Sequence, residues 1–155
     1  MLIALEHVTS ATPEARELIG ELDAELAGPY SAEQRHGLSI ERVFQPHVMF
    51  FVARLNGEAV GCGGIAFEDG LAEVKRMYVR PDARGRGVAA AIVTRLEAEA
   101  RARGVGRIAL ETGDAQGAAM KFYERVGFTK CGAFGAYAAM PAEAVVRSVF
   151  FDKSV

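Results

Sequence analysis

Two glycines flank an arginine in the segment Arg84-Gly85-Arg86-Gly87, where an apolar strand pattern gives way to a helical pattern. Glycine lets successive backbone amides turn toward one centre, and the first amides of a helix are unpaired and form the positive end of its dipole. Arg84 and Arg86 add two permanent positive charges. These residue types in this order predict a binding site for a pyrophosphate group. The alternative is an ordinary glycine-rich turn, because such turns often precede helices.

The other residue types that could bind a metal or attack a substrate are scattered. Cys62 and Cys131 both lie in apolar, strand-like sequence, which favours two reduced thiols acting as small hydrophobic side chains. The histidines are far apart and have no cysteine or histidine at ligand spacing. We therefore expect neither a metal site nor a cysteine nucleophile.

The glycine segment needs a strand before it and a helix after it, and hydrophobic periodicity predicts both. Before it, apolar runs form an antiparallel meander, with Asn56-Gly57 as a hairpin turn. The predicted strands cover residues 2–8, 48–55, 60–67, 71–79, 108–111, 129–131 and 148–151. A meander followed by strand–helix–strand–helix predicts an α/β (α+β) mixed sheet with helices on both faces, in a single domain of residues 1–155.

Helix boundaries follow from capping residues and from apolar residues at helical spacing. Thr12 and Pro13 begin the first helix, which residues 28–29 (Gly-Pro) end. A capping-box pattern at residues 31–34 predicts a shorter helix that ends before Pro46. Two later helices are predicted at residues 88–104 and 118–126. The glutamates of the first helix, which should form its solvated side, are Glu14, Glu17, Glu21 and Glu25.

Composition limits the classes of partner. The net charge is −2, from 18 Lys and Arg against 20 Asp and Glu, so we expect no bulk attraction for nucleic acid or an anionic membrane. No apolar run approaches the roughly 20 residues that span a bilayer. The N-terminus lacks the basic region and cleavage site of a signal peptide, which favours a cytoplasmic protein.

A dinucleotide site is the main alternative for the glycine segment. Gly85-x-Gly87-x-x-Ala90 formally matches the dinucleotide fingerprint, and Glu111 ends the next strand about 20 residues later. Against it, five residues separate the strand end at Val79 from Gly85, and too little chain follows Glu111 for the rest of a doubly wound sheet. The fingerprint alone is a weak signal.

Three segments together resemble the motifs of the GNAT acetyltransferases. Arg84-x-x-Gly87-x-Ala89 is similar to the (Gln/Arg)-x-x-Gly-x-(Gly/Ala) signature, which binds the pyrophosphate of CoA. The segment from Gln116 to Phe128, with Tyr123-x-x-x-Gly127-Phe128 at its end, resembles the second motif, although that motif usually begins with Asn. The segment Glu73-Val-Lys-Arg-Met-Tyr-Val79 is similar to the fourth strand of the superfamily.

The resemblance implies a site for acetyl-CoA. The strand ending at residues 77–79 should splay from the strand ending at Glu111, and the gap should admit the pantetheine arm, whose amides would pair with the backbone as an added strand does. The residues implied to bind the cofactor are Met77, Tyr78, Val79, Arg84, Gly85, Arg86, Gly87, Val88, Ala89, Gln116, Ala119 and Tyr123.

Transfer of an acyl group from a thioester to an amine needs a base for the amine and benefits from an acid for the thiolate. Tyr123 matches the general acid of many GNAT members. Glu73 matches the glutamate base of some members, and Glu111 is the second candidate for that role. Strand alternation places Glu73, Lys75, Met77 and Val79 on one face, where an ion pair with Lys75 would make Glu73 a poorer proton acceptor.

The resemblance implies direct transfer of the acetyl group to a primary amine. The acceptor itself is open among small amines, amino acids and peptides, and the acidic N-terminal half favours a cationic amine. Residues 26–46 and 134–141 should hold it, with Tyr30, His36, Phe44 and Tyr137 as candidate liners. The alternative function is a non-catalytic module that binds acetyl-CoA or CoA as a sensor. A homodimer is possible, as in other members.

Overall fold

The computed structural model describes residues 2–155, and the described part contains seven strands and four α-helices. The strands are β1 (Ile3–Val8), β2 (Val48–Leu55), β3 (Glu58–Glu68), β4 (Leu71–Val79), β5 (Arg107–Gly113), β6 (Thr129–Cys131) and β7 (Ser148–Ser154). The helices are α1 (Pro13–Ala27), α2 (Val88–Ala102), α3 (Gly117–Arg125) and α4 (Ala142–Val145). Short 3₁₀ turns lie at Ala32–Gln34, Arg42–Phe44, Pro81–Ala83 and Gly135–Ala139.

The strands form one mixed sheet in the order β1-β2-β3-β4-β5-β7-β6. Every neighbouring pair is antiparallel except β4 and β5, which pair in parallel at Ala72↔Ile108 and Glu73↔Ala109 and then separate. The predicted mixed fold and the splay after Glu73 are therefore confirmed. A single parallel pair does not make the doubly wound sheet that the dinucleotide alternative requires.

Helix α1 begins as its sequence predicts, because the Thr12 hydroxyl accepts a hydrogen bond from the Ala15 amide at 3.2 Å and Pro13 takes the first helical position. Its apolar side, including Leu18 and Ile19, is buried against the sheet. The acidic side stays partly exposed, but each of its four glutamates also pairs with a sheet or loop arginine. The pairs are Glu14–Arg54, Glu17–Arg80, Glu21–Arg80 and Glu25–Arg84.

The two faces of the sheet carry separate apolar cores. Helices α2 and α3 cover one face, where Ile92 and Leu96 pack with Phe51 and Phe151. Helix α1 covers part of the other face. A third, smaller cluster lies on this second face near the C-terminus, around Tyr137. Burying one such large side chain contributes about 1.5–3 kcal/mol, so these cores hold the sheet on which the site is built.

A β-bulge interrupts β4 next to the splay. Cys62 pairs with Tyr78 and Gly64 pairs with Lys75, so Gly63 alone faces the two residues between them. One of these, Arg76, has a left-handed backbone with φ 56°, which is uncommon for a residue other than glycine.

The bulge reverses the sides on which later residues of β4 point. Met77 and Val79 pack against the α2 core, as Val74 does, whereas Glu73 and Lys75 contact Tyr137 on the other face. The prediction that all four alternate residues share one face was therefore wrong. The extra residue of the bulge breaks the period of two on which it depended.

The predicted helix between residue 31 and Pro46 was also wrong. The Gln34 side chain does accept a hydrogen bond from the Ser31 amide at 3.2 Å, but the chain then becomes extended at Arg35. Two 3₁₀ turns replace the helix, and Gly37 packs so closely on Arg76 that a Cβ at Gly37 would overlap the guanidinium. Packing of this connection against the sheet overrides the local capping signal.

Candidate active site

A groove of ≈630 Å³ lies where β4 and β5 separate. We call it the long groove. Its walls come from the end of β4, the loop into α2 with the first turn of that helix, helix α3 with the residues on either side of it, and Leu22 and Glu25 of α1. Most of the residues that the sequence predicted to bind the cofactor do line this groove. They are Met77, Tyr78, Val79, Arg84, Gly85, Gly87, Val88, Ala89, Gln116, Ala119 and Tyr123.

The loop into α2 exposes a run of backbone donors. Gly85 and Gly87 both have left-handed backbones, with φ 78° and 84°, and Gly87 caps the helix that begins at Val88. Among residues 2–155, no acceptor takes a hydrogen bond from the amides of residues 85–90. A Cβ at Gly85 would meet no atom within 4 Å, so glycine is needed there for its backbone angle. Unpaired amides at a helix N-terminus bind anions such as phosphate.

The two arginines of the glycine segment differ in position. Arg84 lines the long groove, donates from Nε to the Val79 carbonyl at 2.8 Å, and pairs with Glu25 at 3.2 Å. It therefore ties the loop to the end of β4 and to α1, and Glu25 partly offsets its charge. Arg86 is exposed and is not among the residues that line the long groove.

Helix α3 contributes one face to the long groove. Gln116 precedes the helix, and Ala119 and Tyr123 follow at spacings of three and four residues, which places them on one side. The helix ends at Arg125, and Gly127 turns the chain with φ 103° so that Phe128 is buried beneath Tyr123. This geometry explains the Tyr-x-x-x-Gly-Phe spacing in physical terms.

A second cavity of ≈140 Å³ adjoins the long groove, and we call it the inner pocket. Its lining is mostly side chains from the connection between α1 and β2, from β4 and β5, and from the loop after β6. Five residues line both cavities, namely Leu22, Met77, Gln116, Ala119 and Tyr123. A ligand in the long groove and one in the inner pocket can therefore meet at Tyr123.

Tyr123 lines both cavities at that meeting point. Its side chain is 7% exposed, and no group of residues 2–155 forms a hydrogen bond with its hydroxyl. Burial, and secondarily the negative charge of Glu111, raise the pKa of Tyr123 well above its usual value of 10. The phenol therefore stays protonated at neutral pH.

Glu73, Lys75 and Tyr137 form a closed cluster in the wall of the inner pocket. One oxygen of Glu73 accepts from the Tyr137 hydroxyl at 2.6 Å and from the Lys75 ammonium at 2.9 Å. Lys75 also donates to the Tyr137 oxygen at 2.9 Å. The predicted ion pair is present, although it joins two residues of one strand. Burial and the nearby Glu73 raise the pKa of Tyr137, so it remains a donor.

Glu111 is the other carboxylate of the inner pocket. It lies on β5 beyond the last residue paired with β4, and it accepts a hydrogen bond from Ser148 of β7 at 2.7 Å. Burial raises the pKa of Glu111, while the Ser148 hydrogen bond and the charges of His36 and Lys75 act in the opposite direction. Its second oxygen has no hydrogen-bond partner among residues 2–155.

Three of the four predicted liners reach the inner pocket. Tyr30, His36 and Tyr137 line it, but Phe44 packs against Phe50 instead, with ring centroids 5.8 Å apart. Tyr30 also accepts a hydrogen bond from the Ala115 amide at 2.9 Å, and this bond joins the end of α1 to the start of α3.

Several lining residues were not predicted. These are Leu22, Val74, Arg76, Thr112 and Gly113, whereas Gln34, Arg35 and Gly37 lie in the range 26–46 that was predicted to hold the acceptor. No local pattern marks them, because each enters the pocket through contacts between segments that are far apart in sequence. The predicted liner His36 is likewise held by a distant segment, because its Nε2 donates to the Ala144 carbonyl at 2.7 Å.

No group of three or more His, Cys, Asp or Glu side chains among residues 2–155 is arranged to hold a metal ion. None of the helices in residues 2–155 combines the length and the apolar character needed to cross a membrane.

Comparison with known proteins supplies independent information. The sequence model of the Acetyltransferase (GNAT) family matches residues 14–128. The chain is 42% identical over 139 residues to an IAA acetyltransferase of Azospirillum brasilense, with 88% of each sequence covered. The chain belongs to the GNAT acetyltransferase family. Membership of this family supports acyltransferase activity.

Solved structures of GNAT proteins agree with the fold described above. A Klebsiella pneumoniae protein, provisionally assigned as an acyl-CoA N-acyltransferase, is similar with a TM-score of 0.78 and 32% identity, over 99% of this chain and 97% of that one. The PaiA N-acetyltransferase of Thermoplasma acidophilum, solved in complex with coenzyme A, has a TM-score of 0.72 over 100% of both chains. At 15% identity, the second likeness concerns the fold alone.

Proposed function

We propose that this GNAT protein transfers the acetyl group of acetyl-CoA directly to a primary amine. The observation that carries the proposal is the shared lining of the two cavities by Met77, Gln116, Ala119 and Tyr123. A thioester at the inner end of the long groove would face an amine in the inner pocket across this junction. Such positioning removes much of the entropic cost of a two-substrate reaction.

The long groove has the features that CoA requires. The free amides at residues 85–90 would bind the pyrophosphate, with Arg84 adding positive charge. The splayed end of β4 at residues 77–79 leaves backbone groups for the amides of the pantetheine arm. The T. acidophilum protein of the same fold was solved with coenzyme A, which supports the same ligand here.

The proposed reaction has one nucleophile, one base and one acid. The amine nitrogen attacks the thioester carbonyl carbon, a C–N bond forms, and the C–S bond breaks. One proton leaves the nitrogen for a carboxylate base. The departing CoA sulfur takes a proton from the Tyr123 hydroxyl, which remains protonated because of its raised pKa. Return of the carboxyl proton to the Tyr123 phenolate balances the cycle.

Two carboxylates are candidates for the base. Glu73 remains a candidate from the sequence, but one of its oxygens already takes two hydrogen bonds, from Tyr137 and Lys75. Glu111 has a raised pKa and a single hydrogen bond, from Ser148. A general base acts best with a pKa closer to the working pH. These contacts favour Glu111 as the base, with Glu73 positioning Lys75 and Tyr137.

The first test separates binding from transfer. The protein is titrated calorimetrically with acetyl-CoA, with NAD as the control ligand, and release of free CoA thiol is then measured with a panel of primary amines. We expect the protein to bind acetyl-CoA but not NAD. We also expect it to release CoA thiol only when an amine is present.

Tyr123→Phe sharpens this test, because it removes only the hydroxyl. We expect it to keep acetyl-CoA affinity and to lower kcat by about 10²-fold, at the lower end of acid–base contributions. Acetyl-CoA binding without thiol release for any amine would instead indicate the sensor function. No binding of acetyl-CoA would refute both.

A further inference from the structure

The charged side chains around the inner pocket are unevenly paired. Lys75 pairs with Glu73, and Arg76, whose side chain is 3% exposed, pairs with Asp23 of α1. Arg35 also lines the pocket, yet no carboxylate among residues 2–155 lies at ion-pair distance from it. Counting pairs within residues 2–155, these pairings leave the pocket with the cation of Arg35 on its loop wall and the carboxylate of Glu111 on its sheet wall.

Arg35 is held in place by its backbone and its Nε group. Its amide donates to the Ala32 carbonyl at 3.4 Å, and its Nε donates to the Ser31 carbonyl at 3.4 Å. The next residue, His36, is fixed to Ala144 at 2.7 Å. The two terminal nitrogens of the half-buried guanidinium have no acceptor among residues 2–155. They are available to a ligand in the pocket.

We infer that the acceptor is a free amino acid, whose carboxylate pairs with Arg35 while its amine faces Glu111. This inference rests on the proposed function and names its substrate class. The planar guanidinium forms paired, charge-assisted hydrogen bonds with a carboxylate, which makes arginine well suited to this ligand. An amine without a carboxylate would leave a half-buried cation unpaired, and an acceptor with a second cation would be repelled by it.

The size of the pocket agrees with a small acceptor. Its ≈140 Å³ is below the range of roughly 300–1,000 Å³ that is usual for pockets of drug-sized ligands. The acidic N-terminal half favoured a cationic amine, but the four glutamates of α1 in that half all pair with arginines, and none of the four lines the inner pocket. The charge that an acceptor meets is therefore set by Arg35 and Glu111.

The test compares each amino acid with its own carboxamide, which keeps the amine and the side chain but lacks the negative charge. Thiol release gives kcat/KM for each pair. In the unmodified protein, we expect the free acid to be preferred for at least one pair by about ten- to a hundredfold, the usual effect of a hydrogen bond to a charged group. Arg35→Ala should abolish this preference by raising KM for the acid alone, and Arg35→Lys should restore part of it.

Arg42→Ala is the matched control, because Arg42 is an exposed arginine of the same connection that does not line the pocket. It should leave the preference unchanged. Equal kcat/KM for acid and carboxamide in every pair, or an equal loss of both in Arg35→Ala, would overturn the inference while leaving amine acetylation intact.

Binding of the acceptor can be measured even if the protein transfers no acetyl group. The complex with CoA is titrated with the same amino acids and carboxamides. Selective binding of an acid that is lost in Arg35→Ala supports the amino-acid site, even if the transfer proposal fails. No binding of any of these acids would refute it.

Discussion

The long groove and the inner pocket meet at Tyr123, yet the chain builds them in different ways. The long groove comes mostly from three continuous stretches, with Leu22 and Glu25 of α1, and it presents free backbone amides and many glycine and alanine residues. The inner pocket gathers side chains from segments as distant as Arg35, Glu111 and Tyr137. A site made of backbone groups depends on local backbone angles, which glycine and helix-capping patterns reveal. A site made of side chains depends on tertiary packing, which glycine and helix-capping patterns do not reveal.

The largest expected effect tests the side-chain site. Glu111→Gln should lower kcat/KM by about 10²–10⁴-fold, because it removes the proposed base. The glutamine side-chain oxygen can still accept the hydrogen bond from Ser148. Acetyl-CoA affinity should not change. Glu73→Gln is the matched comparison and should lose less activity. A larger loss in Glu73→Gln would transfer the role of base to Glu73, as the sequence first indicated.

The pH profile gives a second view of the same carboxylate. Because burial raises the pKa of Glu111, the acid limb of kcat/KM should lie above the usual 4.5, with activity rising as the pH rises through it. Glu111→Gln should flatten that limb. For stability the sign is opposite: the native state favours protonated Glu111, so its contribution is full below 4.5 and is lost as the pH rises through the raised pKa.

A glycine substitution tests the backbone-built site. Gly87→Val places a β-branched residue at φ 84°, which costs about 1–3 kcal/mol of backbone strain. We expect the loop to relax in response, so that its amides no longer face the ligand. We expect acetyl-CoA affinity to fall by about five- to 150-fold, measured by calorimetry.

Gly104→Val is the matched control for that substitution, because Gly104 has φ 69° and lies outside both cavities. It should lower the free energy of unfolding without changing acetyl-CoA affinity. Equal affinities for the two variants would contradict the assignment of the amides to the pyrophosphate.

The smallest expected effect concerns the charge of an α1 side chain beside the long groove. Glu25 lines the long groove beside Arg84, so Glu25→Gln should free that arginine and remove a negative charge near the pyrophosphate. Because the pair is half exposed, we expect acetyl-CoA affinity to rise only about two- to fivefold, and less at high salt. Glu17→Gln removes a carboxylate of the same helix that does not line the groove, and it should leave affinity unchanged.

Prediction from the sequence was best where chemistry is local. Thr12 acts through its own hydroxyl, and Asn56-Gly57 and the glycines at 85 and 87 act through their own backbone angles, so the elements around them were located correctly. The bulge at Arg76 was missed because it depends on the register between β3 and β4. The extended chain at Arg35 was missed because packing of Gly37 on Arg76 overrides a local helix signal. These two errors fall on segments that line the inner pocket, which is why only part of its lining was predicted.

The position of β7 has a consequence for how the chain matures. This strand inserts between β5 and β6, so it completes the sheet only after every other strand has been synthesised. Until then β5 is an open edge of unpaired backbone groups next to apolar residues such as Leu110, and open edges of this kind promote association with other chains. Since Ser148 arrives with the same strand, Glu111 gains its hydrogen bond at the moment when that edge closes. A nascent chain lacking β7 would therefore be prone to aggregation and would lack the finished pocket.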